Sequence, residues 1–169
     1  MFGLILTISI AAVLMSLAAP SFSGLIHRAQ FDIASDQLYS SLWYTRSQAI
    51  SAQKSVVMAA ESNGWAAGWQ VFIDINSDGR QQEDEPVLRR VNAQPAGYSL
   101  TSNLGLGDAV YYQPDGRTRR PGGGLQMGTF TLCRPSGTFH KAQHHRVVIN
   151  SAGRPRLERP TTHQTSDAC

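Results

Sequence analysis

The residues best suited to chemistry lie near the C-terminus. GRPR, residues 153–156, places Arg154 and Arg156 two positions apart. Side chains alternate along a strand, so both guanidinium groups project from one face. Their planar forks match phosphate oxygens, and Gly153 allows a close backbone approach. Arg159, Arg146, Lys141 and the cluster Arg117, Arg119 and Arg120 widen the basic patch. The chemistry is anion binding, and phosphate is the group that these forks suit. The plain structural alternative is two solvated arginines on a hairpin edge.

The charge distribution supports an anionic partner. Residues 1–116 hold 6 Lys/Arg and 10 Asp/Glu, a net −4, whereas residues 117–169 hold 9 and 2, a net +7. An asymmetry of this kind points to nucleic acid or to a membrane surface.

A second stretch invites a metal. DINSDGRQQEDE, residues 74–85, fits the D-x-[DN]-x-[DN]-G-x5-E pattern of a calcium loop, with Asp74, Asn76, Asp78, Gly79 and Glu85 in place. An EF-hand also needs a helix on each side. Here GWQVFID alternates like a strand before the loop, and EPVLRRV reads as a returning strand after it. Gln81 also stands where a β-branched residue usually pairs two such loops. A metal-free Asp/Asn/Gly turn is therefore expected.

His140, His144 and His145 lie near Cys133 without a carboxylate or second cysteine to complete a zinc set. They are expected to add positive charge in mild acid. No Ser-His-Asp order, phosphate loop or acid pair is present, so neither catalysis nor a cofactor is expected. The two cysteines, Cys133 and Cys169, are expected to form one disulfide that ties the basic tail to the sheet, worth roughly 3–4 kcal/mol. Two free thiols are the alternative.

The elements that must carry these residues begin with an apolar segment. FGLILTISIAAVLMSLAA, residues 2–19, is uncharged, and its length reaches the lower part of the roughly 17–25 residues that span a bilayer. A cleaved signal peptide would open with Lys or Arg, which MFGLIL lacks. Beyond Pro20 the chain runs on as one long amphipathic helix, with a stripe at Phe22, Leu25/Ile26, Ala29, Ile33, Leu38, Leu42, Thr45 and Ala49. Pro20 is expected to kink this helix without ending it.

After Lys54 the chain changes to eight short apolar or alternating runs. They are SVVMAA, GWQVFID, EPVLRRV, YSLTS, AVYYQ, GTFTLC, HRVVIN and PRLE. Together they predict an antiparallel sheet covered by the amphipathic half of the helix, an α+β architecture. The expected division is a hydrophobic helix over 1–21 and a head over 22–169. The head comprises a helix to about 54, a β-rich region over 55–159 and a polar tail.

TISIAAVLMSLAAPSF followed by a helix ending TRSQAISAQ resembles the type IV pilin-like proteins. With GWQVFIDINSDGRQQEDEPVLR, GTFTLC and RVVINSAGRPRLE in the same order, the chain more narrowly resembles the FimT/GspH family of minor pilins and pseudopilins. The resemblance runs from about Leu4 to Glu158. It implies a membrane-embedded helix in the bacterial inner membrane with the head in the periplasm, pilin partners through that helix, and assembly into a pilus. FimT-type minor pilins that bind DNA in natural transformation carry G-R-x-R, which Gly153, Arg154 and Arg156 match.

The resemblance also implies a basic leader, a cleaved Gly, and a Glu at the fifth mature position. Gly3 stands where that Glu would be, and no leader precedes it. Either the start is set too late or this form lacks the processing signal. The reading is a non-enzymatic, DNA-binding minor pilin. The runner-up is a GspH-like pseudopilin of type II secretion, and a calcium-regulated adhesin stands third.

Overall fold

The computed structural model describes residues 2–136 and 142–160; at positions 2, 4–6, 8, 9 and 11–23 it describes the backbone alone. Helix α1 spans Phe2–Ala52 and passes through Pro20 without a break. Gln53 then turns left-handed (φ 51°) and ends it, the usual geometry just past a helix C-terminus.

The face that α1 buries is offset from the sequence stripe. Phe31, Ala34, Leu38, Leu42 and Ala49 are buried, whereas Leu25 and Ile26 are exposed and Ile33 is 66% exposed. A helix turns about 100° per residue, so Ile33 falls well off the line through Phe31, Leu38 and Leu42. Polar residues complete the buried face. Ser41 and Thr45 donate their hydroxyls to the carbonyls of Gln37 and Ser41, at 2.8 and 2.7 Å, which satisfies them without a partner across the interface.

The eight strands fall where the apolar runs predict. They are β1 (Val56–Glu61), β2 (Gly64–Ile73), β3 (Val87–Val91), β4 (Ser99–Ser102), β5 (Ala109–Tyr112), β6 (Gly128–Arg134), β7 (Gln143–Ile149) and β8 (Pro155–Glu158). They form two antiparallel four-stranded sheets, ordered β3-β2-β1-β5 and β4-β6-β7-β8. The expectation of a single sheet is corrected here. Alternation identifies a strand but not its neighbour, and β5 pairs back with β1 while β4 pairs forward with β6.

One core joins the helix and both sheets. Phe31, Leu38 and Leu42 pack with Val56, Trp69, Val110, Tyr112, Phe130, Val147 and Ile149. Trp65 of β2 meets Phe130 of β6 edge-on at 4.7 Å, which ties one sheet to the other. Among the described residues, no helix stretch is long and apolar enough to cross a membrane.

Candidate nucleic-acid interface

The β7–β8 hairpin sets the arginines. Along β7, His145, Val147 and Ile149 are buried while Arg146 is exposed; along β8, Pro155 is buried and Arg156 exposed. The register places Val148 opposite Arg156 and Arg146 opposite Glu158. Arg154, just before β8, is exposed like Arg156, and the two line one cleft.

Gly153 serves the turn. It is buried with φ +71°, and a Cβ there would lie 2.2 Å from the Gly116 carbonyl oxygen. The close approach that it permits is to this chain's own backbone. That same carbonyl accepts a hydrogen bond from Arg46 Nε at 2.9 Å, so α1, the 113–117 turn and the β7–β8 turn meet at one oxygen. Asn150 fixes the turn by accepting from the amides of Ala152 and Arg154, at 3.1 and 3.0 Å.

An open cleft of about 650 Å³ lies where these parts meet. Trp43 and Arg46 come from α1, and Asn150, Arg154 and Arg156 from the hairpin, with Val148 and Pro155 between them. No lining residue is acidic. The Arg46 guanidinium sits 5.4 Å from the centre of the Trp43 ring. Arg154's side chain has no hydrogen bond or ion pair among the described residues, whereas Arg156 pairs with Glu158. Trp43 and Arg46 were missed in the sequence because they lie about 110 positions away from GRPR. A Trp beside an Arg three residues on was the only trace.

The other predicted arginines do not all converge here. Arg159 is held by Asp36 at 2.5 Å and by Asp32 at 3.8 Å, so its charge is largely matched. Arg117 pairs with Asp115 at 3.8 Å. Arg120 donates to the carbonyls of Leu104 and Gly105, at 2.8 and 2.9 Å, and lines a different cavity beside Asp78 and Arg80. Arg119 is half-buried and bridges backbone to backbone with Leu125. Lys141 and Cys169 lie outside the described residues, as does His140. Arg134 belongs to the basic segment but is buried, donating to Gln143 at 2.6 Å and lying over Phe31.

His145 corrects one expectation. It is buried, with Nδ1 2.9 Å from the Ser35 hydroxyl, and burial pushes its pKa down despite Asp32 nearby. It is therefore a core residue that resists protonation and not a surface charge. His144 faces Cys133 across the β6–β7 ladder.

The 74–85 turn joins β2 to β3, two antiparallel strands, so no EF-hand helices flank it. Three of its carboxylates accept from backbone amides, although the buried Asp74 Oδ1 has no hydrogen-bond partner among the described residues. Asp74 accepts from Gly79 at 3.1 Å, Asp78 from Arg80 at 2.8 Å, and Glu85 from Ile75 and Gln82 at 2.8 and 3.2 Å. Burial raises the Asp74 pKa above the ordinary carboxylate value. Among the described residues, no three His, Cys, Asp or Glu side chains gather closely enough to hold a metal ion.

A long N-terminal helix laid on antiparallel sheets defines a type IV pilin-like protein. The chain belongs to the GspH family, whose model, described as Type II transport protein GspH, matches residues 34–153. The fold is similar to that of the type IV minor pilin FimU from Pseudomonas aeruginosa strain PAO1. One crystal form gives 18% identity and a TM-score of 0.62 over 85% of this chain and 97% of that one. A second gives 20% and 0.58 over 75% and 91%. The minor pseudopilin EpsH from the Type 2 Secretion System of Vibrio cholerae gives 15% and 0.52 over 78% and 98%. No curated protein sequence matches. Identities this low speak for the fold alone. The family model thus places the chain among Type II transport GspH proteins, and the solved likenesses add a pilin-like fold.

Proposed function

We propose that the chain is a FimT-type minor pilin of a type IV pilus that binds DNA without sequence preference and contributes to DNA uptake in natural transformation. The observation that carries this reading is the pair Arg154 and Arg156, exposed and lining one cleft with three arginines and no acid. Arg154 supplies an unmatched guanidinium, and Arg46 adds a third cation that the sequence did not reveal. Arg146 extends the surface, while Arg159, Arg117, Arg119 and Arg120 are engaged elsewhere and contribute less; Lys141 lies outside the described residues. Such a site reads backbone charge, which every DNA sequence presents.

The apolar half of α1 anchors the chain in the inner membrane with its head in the periplasm and packs against other pilins in the filament. Full-length chain then fractionates with inner membranes, and a chain starting at Phe22 does not.

The test is DNA affinity across a salt series. Each phosphate neutralised releases counterions, so affinity falls steeply with salt. Arg154→Gln with Arg156→Gln is expected to weaken binding at least about tenfold and to flatten the salt slope by about two units. Circular dichroism is expected to show an unchanged fold. Parental affinity in the double variant sinks the proposal. The second reading, a type II secretion pseudopilin with a purely structural role, is favoured by the family description and by the likeness to EpsH. It then takes the first reading's place.

A further inference from the structure

Phosphate binding does not account for Trp43. Trp65 and Trp69 are buried in the core, but Trp43 is 38% exposed and lines the cleft. It lies off the buried stripe of α1, so packing does not require an indole there. Its ring is braced, with Arg46 5.4 Å from its centre and Tyr39 edge-on at 6.4 Å. Arg46 is itself fixed to the Gly116 carbonyl. A braced ring loses little conformational entropy when something stacks on it.

Asn150 adds a polar handle. Its Oδ1 is occupied by the turn amides, and its Nδ2 makes no hydrogen bond among the described residues. The cleft thus offers an aromatic surface, an amide donor and cations on its wall. Its volume falls within the roughly 300–1,000 Å³ range of small-ligand pockets.

We propose that this cleft takes an unpaired nucleobase, stacked on the Trp43–Arg46 pair with its phosphates on Arg154 and Arg156, so that the chain prefers single-stranded DNA to duplex. The inference rests on the DNA-binding reading and specifies its substrate. Duplex bases are stacked on one another and offer an indole no free face, whereas a single strand turns its bases out. Stacking on an aromatic side chain tolerates any base because each has a π face, which agrees with sequence-independent capture.

The experiment uses the full chain in non-ionic detergent. Its probes are a short single-stranded oligo-dT, an abasic deoxyribose-phosphate polymer of the same length, and a duplex. Binding is read by anisotropy and by intrinsic tryptophan fluorescence. Trp43 is the exposed indole, so it is the one that bound bases quench. Oligo-dT is expected to bind about tenfold more tightly than the abasic polymer and to quench saturably, whereas the abasic polymer binds without quenching. Trp43→Ala is expected to bring oligo-dT to the abasic level, whereas Trp43→Phe retains most of the preference.

If oligo-dT and the abasic polymer bind alike, or if Trp43→Ala leaves oligo-dT binding intact, the cleft reads phosphates only. The base-stacking inference then fails while the DNA-binding reading stands. If none of the three probes binds, both fail together.

Discussion

Gly153 shows how one residue can be required by a turn and still matter to the surface beside it. Its φ of +71° lies in the left-handed region, and the Gly116 oxygen leaves no room for a methyl group. Gly153→Ala is expected to cost about 2–4 kcal/mol, combining left-handed strain with overpacking. Gly124, with nothing within 4 Å of its Cβ position and no positive φ, tolerates alanine. Urea melts of the two variants decide this, and equal stability would remove the turn argument. His145 makes a second prediction at this scale. Its pKa is lowered in the folded chain, so the unfolded chain binds the extra proton first. The stability that neutral His145 contributes is intact above about pH 6.5 and is lost as pH falls from there through the lowered folded value. His145→Gln is expected to flatten the dependence of melting temperature on pH in that window. An unchanged profile would mean that the ring does not titrate with unfolding.

Among the elements, α1 is the one whose phase matters most. The exposed Leu25, Ile26 and Ile33 look as apolar in the sequence as the buried Leu38 and Leu42. Packing separates them. Leu42→Ala removes a fully buried side chain and is expected to destabilise the head by about 2–5 kcal/mol. Ile33→Ala is expected to stay within about 0.5 kcal/mol in the monomer. Chemical denaturation of both variants measures the phase directly, and equal losses would place the buried stripe elsewhere. The β2–β3 turn carries the converse lesson. It has the spacing of a calcium loop, yet antiparallel strands flank it, and Asp74 and Glu85 each accept from backbone amides.

Across the whole molecule, the basic C-terminal segment is less uniformly available than its net charge suggests. Arg134 is buried, and Arg159 is matched by Asp36 and Asp32. What remains is a focused patch at the cleft, assembled by α1 and the β7–β8 hairpin from distant parts of the chain. The tail beyond Pro160 is proposed to be tied back through Cys133 and Cys169, closing a long loop that stabilises by roughly 3–4 kcal/mol. Mass spectrometry after alkylation of the unreduced chain is expected to find both cysteines unmodified. Two alkylated thiols would leave the tail untethered.

The long helix, all eight strands and the pairing of Arg154 with Arg156 were legible from the sequence. Each is a local property: apolar period, turn residues, or alternation within a strand. The family blocks were legible for the same reason, since they are runs of adjacent residues. Three-dimensional packing set which strands pair, which face of α1 is buried, and that Trp43 and Arg46 stand beside GRPR. It also decided that Arg159 answers Asp36, that His145 belongs to the core, and that Gly153 approaches Gly116. All of these depend on contacts between residues far apart in sequence. Such contacts are set by the burial of one shared core, and local periodicity carries no record of them.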